Sequence, residues 1–63
     1  MSLFDYQCSK SISARDEPFY ALVMALIRKA DHLNIAKLER AWPDVYDEFQ
    51  LRYNAPEGRL PTD

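Results

Sequence analysis

A chain of 63 residues forms one domain, and a domain of this size buries only about 60% of the surface that its unfolded chain exposes. A single cysteine, Cys8, excludes an intrachain disulfide, and a single histidine, His32, disfavours a zinc site built from Cys and His. The formal net charge of −2 disfavours nucleic-acid binding, which gains its affinity from Lys and Arg. Oligomerisation or a protein partner therefore remains as the expected means of stabilising the fold.

The N-terminal segment can be interpreted in two ways. Apolar residues on one stripe favour a helix over residues 3–13, although several serines in the same segment are weak helix formers. The stripe consists of Phe4, Cys8 and Ile12. Ser2 is expected to cap this helix, because Asp5 follows it at the spacing of a capping box. The alternative is that residues 1–15 form an arm that becomes ordered only on contact.

The second predicted helix covers about residues 16–31. Asp16 is expected to be its N-cap, and Pro18 suits its first turn because a proline there loses no hydrogen bond. Arg28 and Lys29 fall in the last turn, where cations stabilise the carbonyl end of a helix.

Two further helices are predicted over about residues 34–42 and 43–54. Asn34 is expected to cap the first of them, and the pair Trp42-Pro43 to end it. Pro43 then suits the first position of the next helix. Glu48 and Arg52 stand four residues apart on that helix, in the order that favours an ion pair.

The sequence therefore predicts an all-α fold. Its body, residues 1–54, is expected to be a single domain built as a compact bundle of three short helices, with an optional N-terminal helix. Residues 55–63 contain two prolines and the only glycine, which favours an extended tail.

The most apolar stretch runs from Phe19 to Ile27 and leaves the helix without a polar face before Arg28. One side is expected to be covered by the two helices that follow. This side consists of Phe19, Leu22, Val23, Leu26 and Ala30. The opposite side, Tyr20, Met24 and Ile27, is the candidate partner-binding face, since exposed apolar patches commonly mark interaction sites. The N-terminal stripe is the competing cover for this side.

The carboxylates of Asp44, Asp47 and Glu48 form a candidate acidic face near the start of the last helix. They suit an acidic DNA mimic and disfavour a helix-turn-helix DNA binder, because a recognition helix does not present carboxylates to phosphates. The favoured interpretation is ordinary acids at the positive end of a helix. No nucleophile–base set can be assembled from single copies of Cys and His, so no enzymatic activity, cofactor or metal is predicted.

Several segments together resemble a group of small uncharacterised bacterial proteins of phage or mobile-element type. The resemblance covers about two-thirds of the chain and lies in helix boundaries and apolar residues. The segments are residues 16–31, Asn34 with Lys37-Leu38, residues 42–45, and residues 52–56. The resemblance implies an accessory role in which a small protein binds and blocks a host or defence protein; it carries over no functional residue.

The sequence also leads to expectations for the localisation and the function of the protein. No basic stretch precedes an apolar run at the N-terminus, and the run from Phe19 to Ile27 is about half of the ~20 residues that span a bilayer. A cytoplasmic protein without membrane contact is expected. Its expected function is that of a non-enzymatic protein-interaction module that binds a host protein or a second copy as a homodimer.

Overall fold

The computed structural model describes residues 1–63 and contains helices and no strand. The prediction of an all-α protein is therefore confirmed. Four α-helices follow one another, and a short 3-10 helix, η1, comes after the last. The elements are α1 (Leu3–Ser13), α2 (Phe19–Lys29), α3 (His32–Ala41), α4 (Pro43–Asn54) and η1 (Pro56–Gly58).

The starts of α1 and α4 agree with the sequence. The Asp5 amide donates a hydrogen bond of 3.0 Å to Ser2 Oγ, so Ser2 is the N-cap of α1 as predicted. Pro43 is the first residue of α4, where the missing proline N–H would have had no partner in the helix. Trp42, with φ of −146° and ψ of 64°, separates α4 from α3.

The predicted start of α2 is wrong. The helix begins at Phe19, and Pro18, rather than Asp16, occupies the N-cap without a side-chain hydrogen bond. Asp16 adopts a φ of 52°, which is left-handed backbone. The physical reason is Pro18, because a proline disfavours helical angles in the residue before it, here Glu17, and so prevents a first turn from starting at Asp16.

The predicted cap of α3 is also wrong. The N-cap is Asp31, whose Oδ1 accepts a 2.9 Å hydrogen bond from the Asn34 amide. The helix therefore starts at His32, two residues before the predicted 34–42 segment, and ends at Ala41. Asn34 lies inside the first turn and supplies the backbone donor instead of the capping side chain.

The buried core is very small. Only Ile27 of α2 and Phe49 of α4 are buried, at 4% and 7% exposure. The guanidinium of Arg28 lies over the Phe49 ring, 5.5 Å from its centroid, and equally close to Tyr53, and so covers this part of α4.

A cluster of three aromatic rings joins the start of α2 to the end of α3. The Trp42 ring lies 6.2 Å from the Phe19 ring and 5.8 Å from the Tyr20 ring, measured between centroids. Phe19 and Tyr20 meet edge to face at 5.2 Å. These separations fall within the range of favourable aromatic pairs.

The prediction of an extended tail after residue 54 is wrong. Arg52 binds this segment back onto α4: its Nη1 donates to the Gly58 carbonyl at 3.0 Å, and its two terminal nitrogens donate to the Asp63 carboxylate at 2.7 and 2.8 Å. The predicted ion pair with Glu48 is present as well, at 3.0 Å. Gly58 turns the chain with a φ of 68°, a conformation that glycine adopts without strain.

The predicted compact bundle is not confirmed. The chain measures 41 × 26 × 16 Å and has a radius of gyration of 13.4 Å. A compact domain of 63 residues would have a radius of gyration of about 10.6 Å. The excess agrees with α1 and α3, neither of which contributes a buried residue. None of the helices combines the length and apolar character that crossing a membrane requires.

The two candidate caps of α3 can be separated by substitution. Asp31→Ala removes the acceptor for the Asn34 amide and is expected to destabilise the protein by about 0.5–2 kcal/mol. Asn34→Ala, the matched control, leaves that hydrogen bond in place and is expected to change stability little. Urea unfolding followed by circular dichroism measures both, and an equal loss in the two variants would contradict Asp31 as the cap.

The closure of the tail by Asp63 is expected to depend on pH. The hydrogen bonds from Arg52, followed by that from the Leu60 amide, hold the pKa of the Asp63 carboxyl well below its ordinary value of 3.8. A lowered folded-state pKa stabilises the closed tail above that ordinary value, and this contribution declines as the pH falls toward the folded-state pKa.

Proton exchange of the Leu60 amide, which donates to Asp63 Oδ2 at 2.9 Å, reports this closure. The amide is expected to be protected at neutral pH and to lose protection in acid. Asp63→Asn should remove the pH-dependent part of that protection, and Asp47→Asn serves as the control. Equal acid sensitivity in wild type and Asp63→Asn would contradict the role of Asp63.

Candidate functional site

The predicted partner-binding face does not form one exposed surface. Ile27 is buried at 4% exposure, so its side chain cannot contact a partner, and this part of the prediction is wrong. Met24 is half-buried. Tyr20 is 54% exposed, and its ring contacts those of Phe19 and Trp42. Helix α2 therefore turns these residues toward α3 and α4.

A shallow groove lies where Tyr20 and Met24 of α2 face α4. Its volume is about 240 Å³, smaller than the ~300–1,000 Å³ of common small-molecule pockets. Val45 and Phe49 form the apolar part of the α4 wall, and two carboxylates complete it. The groove suits one or two inserted side chains better than a whole small ligand.

The candidate acidic face is divided by this geometry. Asp44 and Glu48 line the groove, whereas Asp47 does not. Glu48 Oε2 accepts a hydrogen bond from Arg52 Nε, so one of the three carboxylates already has a cation beside it. Ordinary helix-start acids account for Asp44, which lies in the first turn of α4. No observation specifically favours a DNA mimic or a DNA binder.

The side of α2 that the sequence predicts to be covered is instead its most exposed apolar surface. We call Phe19, Leu22 and Leu26 the outer face of α2; their exposures are 62%, 36% and 52%. The expectation that α3 and α4 cover this side holds only in part: the Trp42 ring lies 6.2 Å from the Phe19 ring, and Val23 and Ala30 are half-buried, but Leu22 and Leu26 stay exposed. Because α2 is apolar almost all round, the sequence does not indicate which side turns inward.

Helix α1 adds a second uncovered apolar surface. Leu3, Phe4, Tyr6 and Ile12 are all exposed, and Cys8 is an exposed free thiol. Ile12, in the last turn of α1, lines a shallow cavity together with Leu22 of the outer face. The N-terminal stripe therefore does not close over α2 within the chain.

Chemically reactive groups do not gather at either surface. No three His, Cys, Asp or Glu side chains lie together at metal-binding distance. Every buried side-chain nitrogen or oxygen has a hydrogen-bond partner. The features that remain for a function are the two apolar surfaces, on α1 and on the outer face of α2.

Comparison with known proteins found no matching family model, no matching curated protein and no matching solved structure. The relationship to small proteins of phage or mobile-element type therefore stays a prediction.

Single substitutions distinguish the buried side of α2 from its outer face. Ile27→Ala deletes a buried side chain and is expected to destabilise the protein by about 2–5 kcal/mol, enough to unfold a small domain. Leu26→Ala, the matched control on the exposed side, is expected to cost under about 1 kcal/mol in a single chain. Thermal unfolding of dilute protein tests the difference, and a larger loss in Leu26→Ala would show that the outer face is covered.

Proposed function

We propose that this protein is a non-enzymatic interaction module that binds a protein partner through the outer face of α2. The single observation that carries the proposal is the exposure of Leu22 and Leu26 in a chain with only two buried residues. Contiguous exposed apolar surface on a small domain commonly marks a protein interface, because water contact with it is unfavourable.

The surroundings of the outer face support a protein partner rather than a small molecule. Leu22 and Leu26 lie one turn apart on the same side of α2, and Phe19 extends the row by a further turn. A row at this spacing is what a partner helix packs against, as in helix-in-groove recognition. The cavity beside Leu22 is open and shallow, so it offers a small ligand little enclosure.

The biological setting of the proposal comes from the sequence. The resemblance to phage or mobile-element proteins suggests an accessory protein that binds a host protein. The apolar α2 also suits a second copy of the chain as the partner. Covering the outer face would also bring the helices toward the compact bundle that the sequence predicts.

Capture experiments with two variants test the proposal. Leu22→Glu/Leu26→Glu places two charges in the outer face and is expected to weaken partner binding about tenfold or more. Leu51→Glu, on an exposed position of α4, is the matched control and should bind as wild type does. The immobilised chain is offered both host lysate and labelled copies of itself, and bound proteins are quantified by mass spectrometry.

Circular dichroism first establishes that the variants retain the helices of the wild type. A partner that is lost with the double variant and kept with Leu51→Glu agrees with the proposal. The same partners binding all three proteins equally, or no protein binding at all, would refute an interface on the outer face.

A further inference from the structure

The folded chain exposes too much surface for a monomer of its mass. Its accessible area is 5687 Å². A monomeric protein of 7.4 kDa exposes about 4,200 Å², so the surplus is about 1,500 Å² per chain. A standard interface buries about 800 Å² per partner, and permanent dimers bury about 1,000–2,500 Å². The surplus therefore has the size of a permanent dimer interface.

We propose that the partner is a second copy of this chain and that the two copies exchange their N-terminal helices. In this symmetric dimer, α1 of each copy packs antiparallel on the outer face of α2 of the other. The inference rests on the proposed function and identifies its partner. It also explains how α1 is stabilised. This helix has 11 residues, none of them buried, and a helix of that length is only marginally stable in water when isolated.

One row of side chains on α1 matches one row on α2 in spacing, and the α2 row begins in the outer face at Leu22 and continues beyond it to Lys29. Each row consists of three side chains, and neighbouring side chains in a row are one helical turn apart. Along α1, read backward, the row is Ile12, Cys8 and Asp5; along α2, read forward, it is Leu22, Leu26 and Lys29. The intervals are four and then three residues in both rows. An antiparallel docking therefore aligns every position of one row with one of the other.

Charge fixes the direction of this docking. In the antiparallel arrangement the Asp5 carboxylate lies opposite the Lys29 ammonium, and the apolar positions face each other. A parallel arrangement would set both charges against aliphatic side chains and bury them without a partner. Neither Asp5 nor Lys29 forms an ion pair within its own chain, so both are free to pair across the interface.

Within one chain, Ile12 and Leu22 line one shallow cavity, but the linker between α1 and α2 opposes docking along the rest of the two helices. Two turn hydrogen bonds, from the Arg15 amide to the Ile12 carbonyl and from the Asp16 amide to the Ser13 carbonyl, fix the first part of this linker. Asp16 has left-handed backbone and Pro18 restricts the residue before it. A short, strained linker of this kind favours exchange of a helix between copies over closure in one copy.

Complementary charge reversals test the exchange. Asp5→Lys alone and Lys29→Glu alone each create a like-charge contact at both ends of the dimer and are expected to weaken dimerisation about five- to tenfold. An equimolar mixture of the two variants restores an opposite-charge contact at both ends and should dimerise about five- to tenfold more tightly than either variant alone. Sedimentation equilibrium measures the dissociation constant of each sample.

Leu51→Glu, the control, should leave the dissociation constant unchanged. Both reversed residues are exposed, so the single variants are expected to keep their helices, which circular dichroism verifies. Because mixing restores the contact only between chains, rescue separates an exchanged α1 from one that folds onto its own α2. The exchange is overturned if neither charge reversal changes the dissociation constant of the dimer. It is also overturned if mixing the two variants does not restore tight dimerisation.

A wild-type protein that sediments at 7.4 kDa at all concentrations also overturns this inference. It would leave the proposed function standing if Leu22→Glu/Leu26→Glu still lost a host partner in the capture experiment. Failure of the exchange and failure of the outer face as an interface are thus separate results.

Discussion

The structure depends on the burial of two side chains, Ile27 of α2 and Phe49 of α4. Two buried residues cannot offset the conformational entropy lost when 63 residues become ordered, so the chain needs further apolar cover. Part of that cover comes from Arg28, whose guanidinium lies over Phe49 and Tyr53. A long cationic side chain can shield an aromatic ring while its charge stays in contact with water.

A second arginine, Arg52, acts in the same C-terminal half of α4. Arg52 bonds Glu48, the Gly58 carbonyl and Asp63, and so joins the helix to the tail that follows it. Its two parallel bonds to the Asp63 carboxylate are the planar, bidentate geometry that guanidinium groups favour. Both arginines thus compensate locally for a core that the chain is too short to enlarge.

Helix existence could be predicted from the sequence, whereas helix orientation could not. Trp42-Pro43 marks a boundary through backbone sterics alone, so the bounds of α4 were predictable. For α3, Asp31 and Asn34 are both good caps, and only the structure distinguishes them. The inward side of α2 was not predictable, because apolar residues surround it. The Arg52–Asp63 bonds join residues 11 apart through a glycine turn, and no local pattern indicates such a contact.

The N-terminal helix α1 and the outer face of α2 have the same deficit, because each exposes apolar side chains that the rest of the chain does not bury. Ser2 caps α1 and so favours its start, but a cap contributes about 1 kcal/mol and cannot replace tertiary cover along an 11-residue helix. Leu22 and Leu26 stay exposed for the complementary reason, since Ile12 in the last turn of α1 shares a cavity with Leu22 but does not bury it. Any contact that covers one surface with the other removes both deficits together. In the proposed dimer, one equilibrium between separate and paired chains therefore governs three quantities. These are the helicity of α1, the compactness of the particle and the fraction of chains that are associated.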